Sequence, residues 1–267
     1  MPAIQPARLK KQTTELADKI HQPAIFVRDL RALLDLYSDH TQRPGQAGVP
    51  SPLMGSYNTP PPFMRQVWRE LTRMIKLYPS DILPLCDALW AEPNYDLQLL
   101  AARLLGQVSI DSPGPVVERI QLWVRSGLDK RLLDGILEHG LQKFQQNDPK
   151  QLLELASSWL VSSDLPVQQA GLSALLPIIR ASGTDTLPAI IRMITPYLRV
   201  APSRLRPDII TVLTELAHSS PSETAYLLRQ NLSAPDNPDI PWLIRQVLDE
   251  FPLETQAGLR AAMKGEG

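Results

Sequence analysis

Along much of the chain, apolar residues recur at spacings of three and four. Leu97, Leu100, Ala101, Leu104, Leu105 and Val108 form one such series, which places them on a single stripe of an α-helix. Segments of this kind are separated by short proline-bearing breaks, "EPN", "DSPGP", "NDP", "APSRLRP" and "SAPDNPDIP", because proline lacks the amide donor that a helix interior uses. The alternation and β-branched enrichment that mark strands are hardly present. The pattern predicts an all-α chain.

The helical segments also resemble one another. Aligned at Trp90, Val124, Leu160, Leu198 and Leu232, near the ends of five predicted helices, they are separated by 34, 36, 38 and 34 residues. Twelve residues beyond each lies a second apolar position inside the next helix: Ala102, Ile136, Leu172, Ile210 and Ile244. Pro93, Pro166, Pro202 and the pair Pro235 and Pro238 mark four of the intervening turns. A helix–turn–helix unit repeated at this period predicts a HEAT-like helical-repeat solenoid, an α-α superhelix, over residues 63–255. No single unit can bury its apolar face alone, so stacking supplies the core. Ala101 and Ala102 let the two helices of the first clear unit approach closely.

Residues 1–40 read as an N-terminal helical segment, with Leu16, Ile20, Ile25, Leu30, Leu33 and Leu34 on its apolar side. A Pro/Gly-rich loop over 41–62 follows, either a long connection or a strap across the end of the repeats. "FMRQVWRELTRMIKLYP" then returns to helix, with Pro60 to Pro62 placed for its start. Residues 256–267 are expected to form a C-terminal tail that frays at "KGEG".

Composition narrows the function classes. The 267 residues are 43% hydrophobic, enough for a sizeable core, and 27 Lys+Arg against 28 Asp+Glu give a net charge of -1. The balance is not that of a strongly basic nucleic-acid binder, although a local basic groove depends on distribution rather than on the total. Cys86 stands alone in an apolar run, so no internal disulfide forms and it reads as a small buried hydrophobe. One cysteine and four scattered histidines, His21, His40, His139 and His218, predict no metal site. No glycine-rich phosphate loop or dinucleotide fingerprint occurs, so no cofactor is expected. Without an apolar leader or a membrane-length apolar run, the expectation is a soluble cytoplasmic protein with no membrane partner.

Two local motifs extend the repeat pattern. "GSYNTPPPFMRQVWREL" and "ALWAEPNYDLQLLAARLL" resemble the AlkD-like DNA alkylation repair family, HEAT-repeat glycosylases that excise positively charged alkylated purines. The matching positions are Gly55, Thr59, Pro60 and Arg65, then Leu89, Trp90, Pro93, Ala101 and Ala102. The resemblance covers about residues 45–250. It implies a cleft with a tryptophan, an aspartate four residues later, a second tryptophan, and an arginine on DNA. Aromatic faces there hold a cationic base and the carboxylate stabilises the developing sugar cation.

In this chain the aspartate falls on Asp134, but Lys130 stands four residues before it, Gln169 takes the arginine position and Thr211 that of the second tryptophan. A lysine would repel a cationic base. The expected reading is therefore a divergent member that keeps the scaffold without excision chemistry, with Asp134 the one catalytic candidate. Lys130, Arg131, Gln169, Arg204 and Arg206 are the nucleic-acid-binding candidates. Further basic residues, Arg103, Lys143 and Arg245, recur on the second helices of the units, diluted by Asp96, Glu138, Asp208, Glu215, Asp249 and Glu250. Asp134 and Glu138 share a helix face near His139, which reads either as solvated surface or as the centre of a polar cleft. Tryptophans 90, 123, 159 and 242 read as core anchors. DNA and a protein are the two partners the pattern admits. The alternatives to a DNA-binding scaffold are a glycosylase for alkylated bases and a protein-binding HEAT-type adaptor.

Overall fold

In the computed structural model, residues 5–38, 54–108, 114–125, 127–181, 186–234 and 237–265 are described. They form fifteen α-helices and no strand. The chain gathers into two compact units, Met1–Gln121 with Leu128–Lys143, and Leu122–Gly127 with Phe144–Gly267.

The first unit holds α1 (Pro6–Ala17), α2 (Pro23–Tyr37), α3 (Pro61–Leu77), α4 (Ile82–Trp90), α5 (Tyr95–Leu105), most of α6 (Gly114–Trp123) and α7 (Lys130–Gly135). A π-helical turn over Ile136–Gly140 continues α7, with the Leu141 amide donating to the Ile136 carbonyl. α8 (Gln142–Asn147) leads into the second unit, built of α9 (Pro149–Leu160), α10 (Leu165–Ala181), α11 (Leu187–Arg199), α12 (Arg206–Ser219), α13 (Pro221–Leu232), α14 (Ile240–Val247) and α15 (Leu253–Lys264).

Proline begins helices in this fold. It occupies the first turn of α1, α2, α3, α9, α11, α12, α13 and α14, where its missing N–H has no intrahelical acceptor and its fixed φ suits the helix. Two prolines depart from the expectation that they mark breaks: Pro177 lies inside α10 and Pro196 inside α11. Each removes one intrahelical bond, and both helices continue because their apolar faces are packed, with Leu175, Ile178, Ile179, Ile194, Tyr197 and Leu198 buried. The expected C-terminal tail is also revised. Residues 256–264 belong to α15, whose Gln256 and Leu259 are buried and which ends on Gly265 at a left-handed φ of 77°.

Helices touch in the order a repeat requires. In the second unit α10, α12 and α14 contact one another in sequence, as do α11, α13 and α15, giving two layers of alternate helices. In the first unit α5 packs along α7 and its π-helical turn. The repeat is also written in side-chain bonds between successive units. Tyr197 Oη donates to the Leu160 carbonyl at 2.5 Å across 37 residues, and Asn237 Nδ2 to the Leu198 carbonyl at 2.9 Å across 39. Arg119 pairs with Asp87 at 2.6 Å across 32, and Arg180 with Glu215 at 2.6 Å across 35. These separations, from 32 to 39 residues, bracket the sequence period of 34–38, and the chain folds as an all-α helical repeat.

Part of the 41–62 loop is placed. Gly55 accepts from the Tyr95 amide at 3.0 Å, while the Tyr57 amide and Ser56 hydroxyl donate to Asp96 at 2.7 and 2.9 Å. Residues 54–60 thus lie as a strap on the start of α5. The segment 41–53 lies outside the described residues, as do His40 and Pro235.

Candidate functional site

The polar side chains of the first unit are organised by the register of α5 against α7. Asp129 caps α7, accepting from the Arg131 amide at 2.9 Å, as an aspartate at the N-cap does. From that cap the two helices run side by side with partners 36 residues apart. The Arg131 guanidinium lies 5.4 Å from the Tyr95 ring centroid, and a Cβ on Gly135 would meet Leu99 at 2.5 Å. One turn further, Arg103 and His139 line the same pocket.

That last contact depends on two local features. The π-helical turn carries the His139 carbonyl against Gly106, where a Cβ would sit 1.8 Å from the oxygen. Only glycine allows this approach. The same turn sets the imidazole with Arg103, Gln107, Gln142, Trp68 and Thr72 in the lining of an open pocket of about 290 Å³. Burial, and then the Arg103 guanidinium, hold His139 below the ordinary histidine pKa, while Glu138, 3.9 Å from Nδ1, acts in the opposite direction. Arg103 Nε is buried and has no hydrogen-bond partner among the described residues. Lys143 Nζ donates to the Gln107 carbonyl, bringing a second cation to the same corner.

The sequence-predicted residues distribute over both units. Asp134, Lys130 and Arg131 are on α7 in the first, and Asp134 and Lys130 are exposed. Asp134 and Lys130 are absent from the lining of the Arg103–His139 pocket. Gln169, Arg204 and Arg206 belong to the second unit. Gln169 Nε2 donates to Asp208 at 3.0 Å, so this side chain serves a contact between α10 and α12. Arg204 is exposed in the turn before α12. Arg206 is tied down: Nη2 donates to Asp239 at 2.7 Å, Nε to the Ala201 carbonyl at 3.2 Å, and the guanidinium lies 5.0 Å from the Trp242 ring centroid. Thr211 is exposed and bonds back to the Pro207 carbonyl at 2.9 Å.

Sequence reasoning passed over Trp68, which sits on α3 outside the repeated columns. The 36-residue offset that pairs Tyr95 with Arg131 also sets Arg103 against His139, and it is the signal for the pocket that Trp68 joins. Among the described residues no group of metal-ligating side chains gathers, and no helix is long and apolar enough to cross a membrane.

Compared with known proteins, residues 48–231 match the family described as DNA alkylation repair enzyme, well over half of the chain. No curated protein matches the chain. The match spans the strap, α3 to α5 with their Gly55, Thr59 and Trp90 motifs, and the repeats that follow, and on that extent the chain belongs to the DNA alkylation repair enzyme family.

Proposed function

We propose that this chain is a nucleic-acid-binding helical-repeat scaffold of HEAT type that engages DNA through its phosphates and does not excise bases. The observation that carries the reading is the setting of Asp134. A carboxylate that stabilises a developing sugar cation works in a site closed to water, where its field is little screened. Asp134 is exposed, and Lys130 stands one helical turn before it on the same face. A cation there offers no aromatic face and opposes a positively charged base. Gln169, committed to Asp208, supplies neither charge nor fork to a phosphate. Lys130, Arg131 and Arg204 are the residues assigned to the phosphate backbone, Arg131 steadied on Tyr95.

A protein-binding role is the second reading, favoured by one feature of the second unit. α9, α10 and α11 border an apolar groove of about 680 Å³ lined by Leu160, Met193, Pro196 and Tyr197, with Val161 and Val200 exposed at its edge.

The test is duplex binding by fluorescence anisotropy across a salt series, with base release from alkylated DNA measured on the same samples. Binding that weakens with salt, without release, is the expected result. Release abolished by Asp134→Asn would establish a glycosylase instead. Absence of binding at low salt would leave the protein-adaptor reading.

A further inference from the structure

We propose that the pocket between Trp68, Arg103 and His139 binds a phosphate oxyanion, and that a nucleic-acid strand supplies it. The second clause rests on the function proposed above; the first does not. The pocket's lining is one-sided in its chemistry. It contains a guanidinium, an imidazole, the amides of Gln107 and Gln142, the Thr72 hydroxyl and an indole, with no carboxylate. The Thr72 hydroxyl proton is already given to the Trp68 carbonyl at 2.8 Å, which leaves Arg103, His139, the two amides and the Trp68 indole N–H as donors.

Arg103 brings the charge to this lining, and because its Nε is buried, a ligand meets the guanidinium at its outer edge. An arginine edge matches two oxygens of a phosphate side by side. Glu138, the carboxylate nearest His139, stands 75% exposed at 3.9 Å and does not line the pocket. Lys143, bonded to the Gln107 carbonyl, adds positive potential at the same edge. An oxyanion would satisfy the guanidinium and favour the proton on His139, which burial and Arg103 otherwise disfavour. The volume of about 290 Å³ lies at the lower limit of pockets that enclose whole small molecules, about 300–1,000 Å³. It suits one group of a larger ligand.

The experiment follows the melting temperature of the full chain in inorganic phosphate, against chloride at matched ionic strength. Wild type, Arg103→Gln, Arg103→Lys, His139→Gln and, from the second unit, Arg192→Gln are compared. Duplex binding is measured on the same proteins with and without inorganic phosphate. The expected result is a saturable rise in melting temperature for wild type and Arg192→Gln. Arg103→Gln and Arg103→Lys should lose at least tenfold in apparent phosphate affinity, the lysine because it keeps the charge but not the fork. His139→Gln should weaken binding severalfold, and it carries the comparison if Arg103→Gln does not fold. Phosphate should also compete with the duplex.

No saturable response in wild type, or an equal response in Arg103→Gln, overturns the pocket. Duplex binding indifferent to both phosphate and Arg103 overturns the pocket while sparing the nucleic-acid reading. Arg103-dependent phosphate binding in a protein that holds no duplex upholds the pocket and overturns the strand as its source.

Discussion

A methyl group on Gly106 would stand 1.8 Å from the His139 carbonyl oxygen and 2.9 Å from its carbon, both backbone atoms that cannot turn aside. The φ of Gly106 is -66°, a conformation alanine adopts freely, so Gly106→Ala would otherwise gain about 0.4–1 kcal/mol from the unfolded state. We expect a loss of about 2–3 kcal/mol or more in urea unfolding, the cost of overpacking. Gly135→Ala is the control, because its nearest neighbour is the end of the Leu99 side chain at 2.5 Å. Rotation of that leucine offsets a helix-propensity gain of about 1 kcal/mol, and the variant should lie within about 1 kcal/mol of wild type. His139 adds a pH dependence at the same spot. Its folded pKa lies below the ordinary 6.5, through burial and Arg103, so between the two values the unfolded chain binds the extra proton. Stability is then full above about pH 6.5 and falls as the pH drops through that window. Melting temperatures between pH 5 and 8 should show this slope in wild type and lose part of it in His139→Gln.

Between elements, the same residue type plays opposite parts. Arg206 joins the start of α12 to the turn before α14 through Asp239, the Ala201 carbonyl and the Trp242 face, whereas Arg204, two residues earlier, is exposed. Arg206→Ala should therefore lower the unfolding free energy by about 1–2 kcal/mol, as expected for a part-buried charge-assisted bond with a ring contact. Arg204→Ala should change it by less than about 0.5 kcal/mol. From sequence the two are indistinguishable, because the partner of Arg206 lies 33 residues away. What was legible is the repeat itself. Apolar spacing locates the helices, and the 34–38-residue period reappears in the bonds of Tyr197 and Arg180, with that of Asn237 one residue longer. What was not legible is register at the level of one turn. The column through Ala102 and Ile136 is two residues short of the 36-residue offset at which α5 and α7 touch. Nothing in "ILEHG" announces a turn closed by a bond from Leu141 to Ile136. Such a turn is fixed by what it packs against, here Gly106, and not by its own apolar pattern.

For the whole molecule, a net charge of -1 sets how a duplex can be held. Long-range attraction is weak at this balance, so affinity must come from a few local contacts, each releasing counterions from the DNA. With Lys130 and Arg131 on phosphates and a further phosphate in the Arg103 pocket, the first unit sets a slope of roughly -3 for the logarithm of affinity against the logarithm of salt, and Arg204 of the second unit steepens it by about 1. A strongly basic binder contacting six to ten phosphates would fall far more steeply. Replacing Lys130 or Arg204 by glutamine should each reduce the slope by about 1 and weaken binding alike on all sequences. Arg206→Gln should leave the slope unchanged even where it lowers stability, since its charge is already shared with Asp239. Anisotropy titrations between about 50 and 200 mM salt resolve these differences. A slope insensitive to both Lys130 and Arg204 would place the contacts elsewhere. A slope near zero would remove phosphates from the interface and turn attention to the apolar groove bordered by Leu160, Met193 and Tyr197.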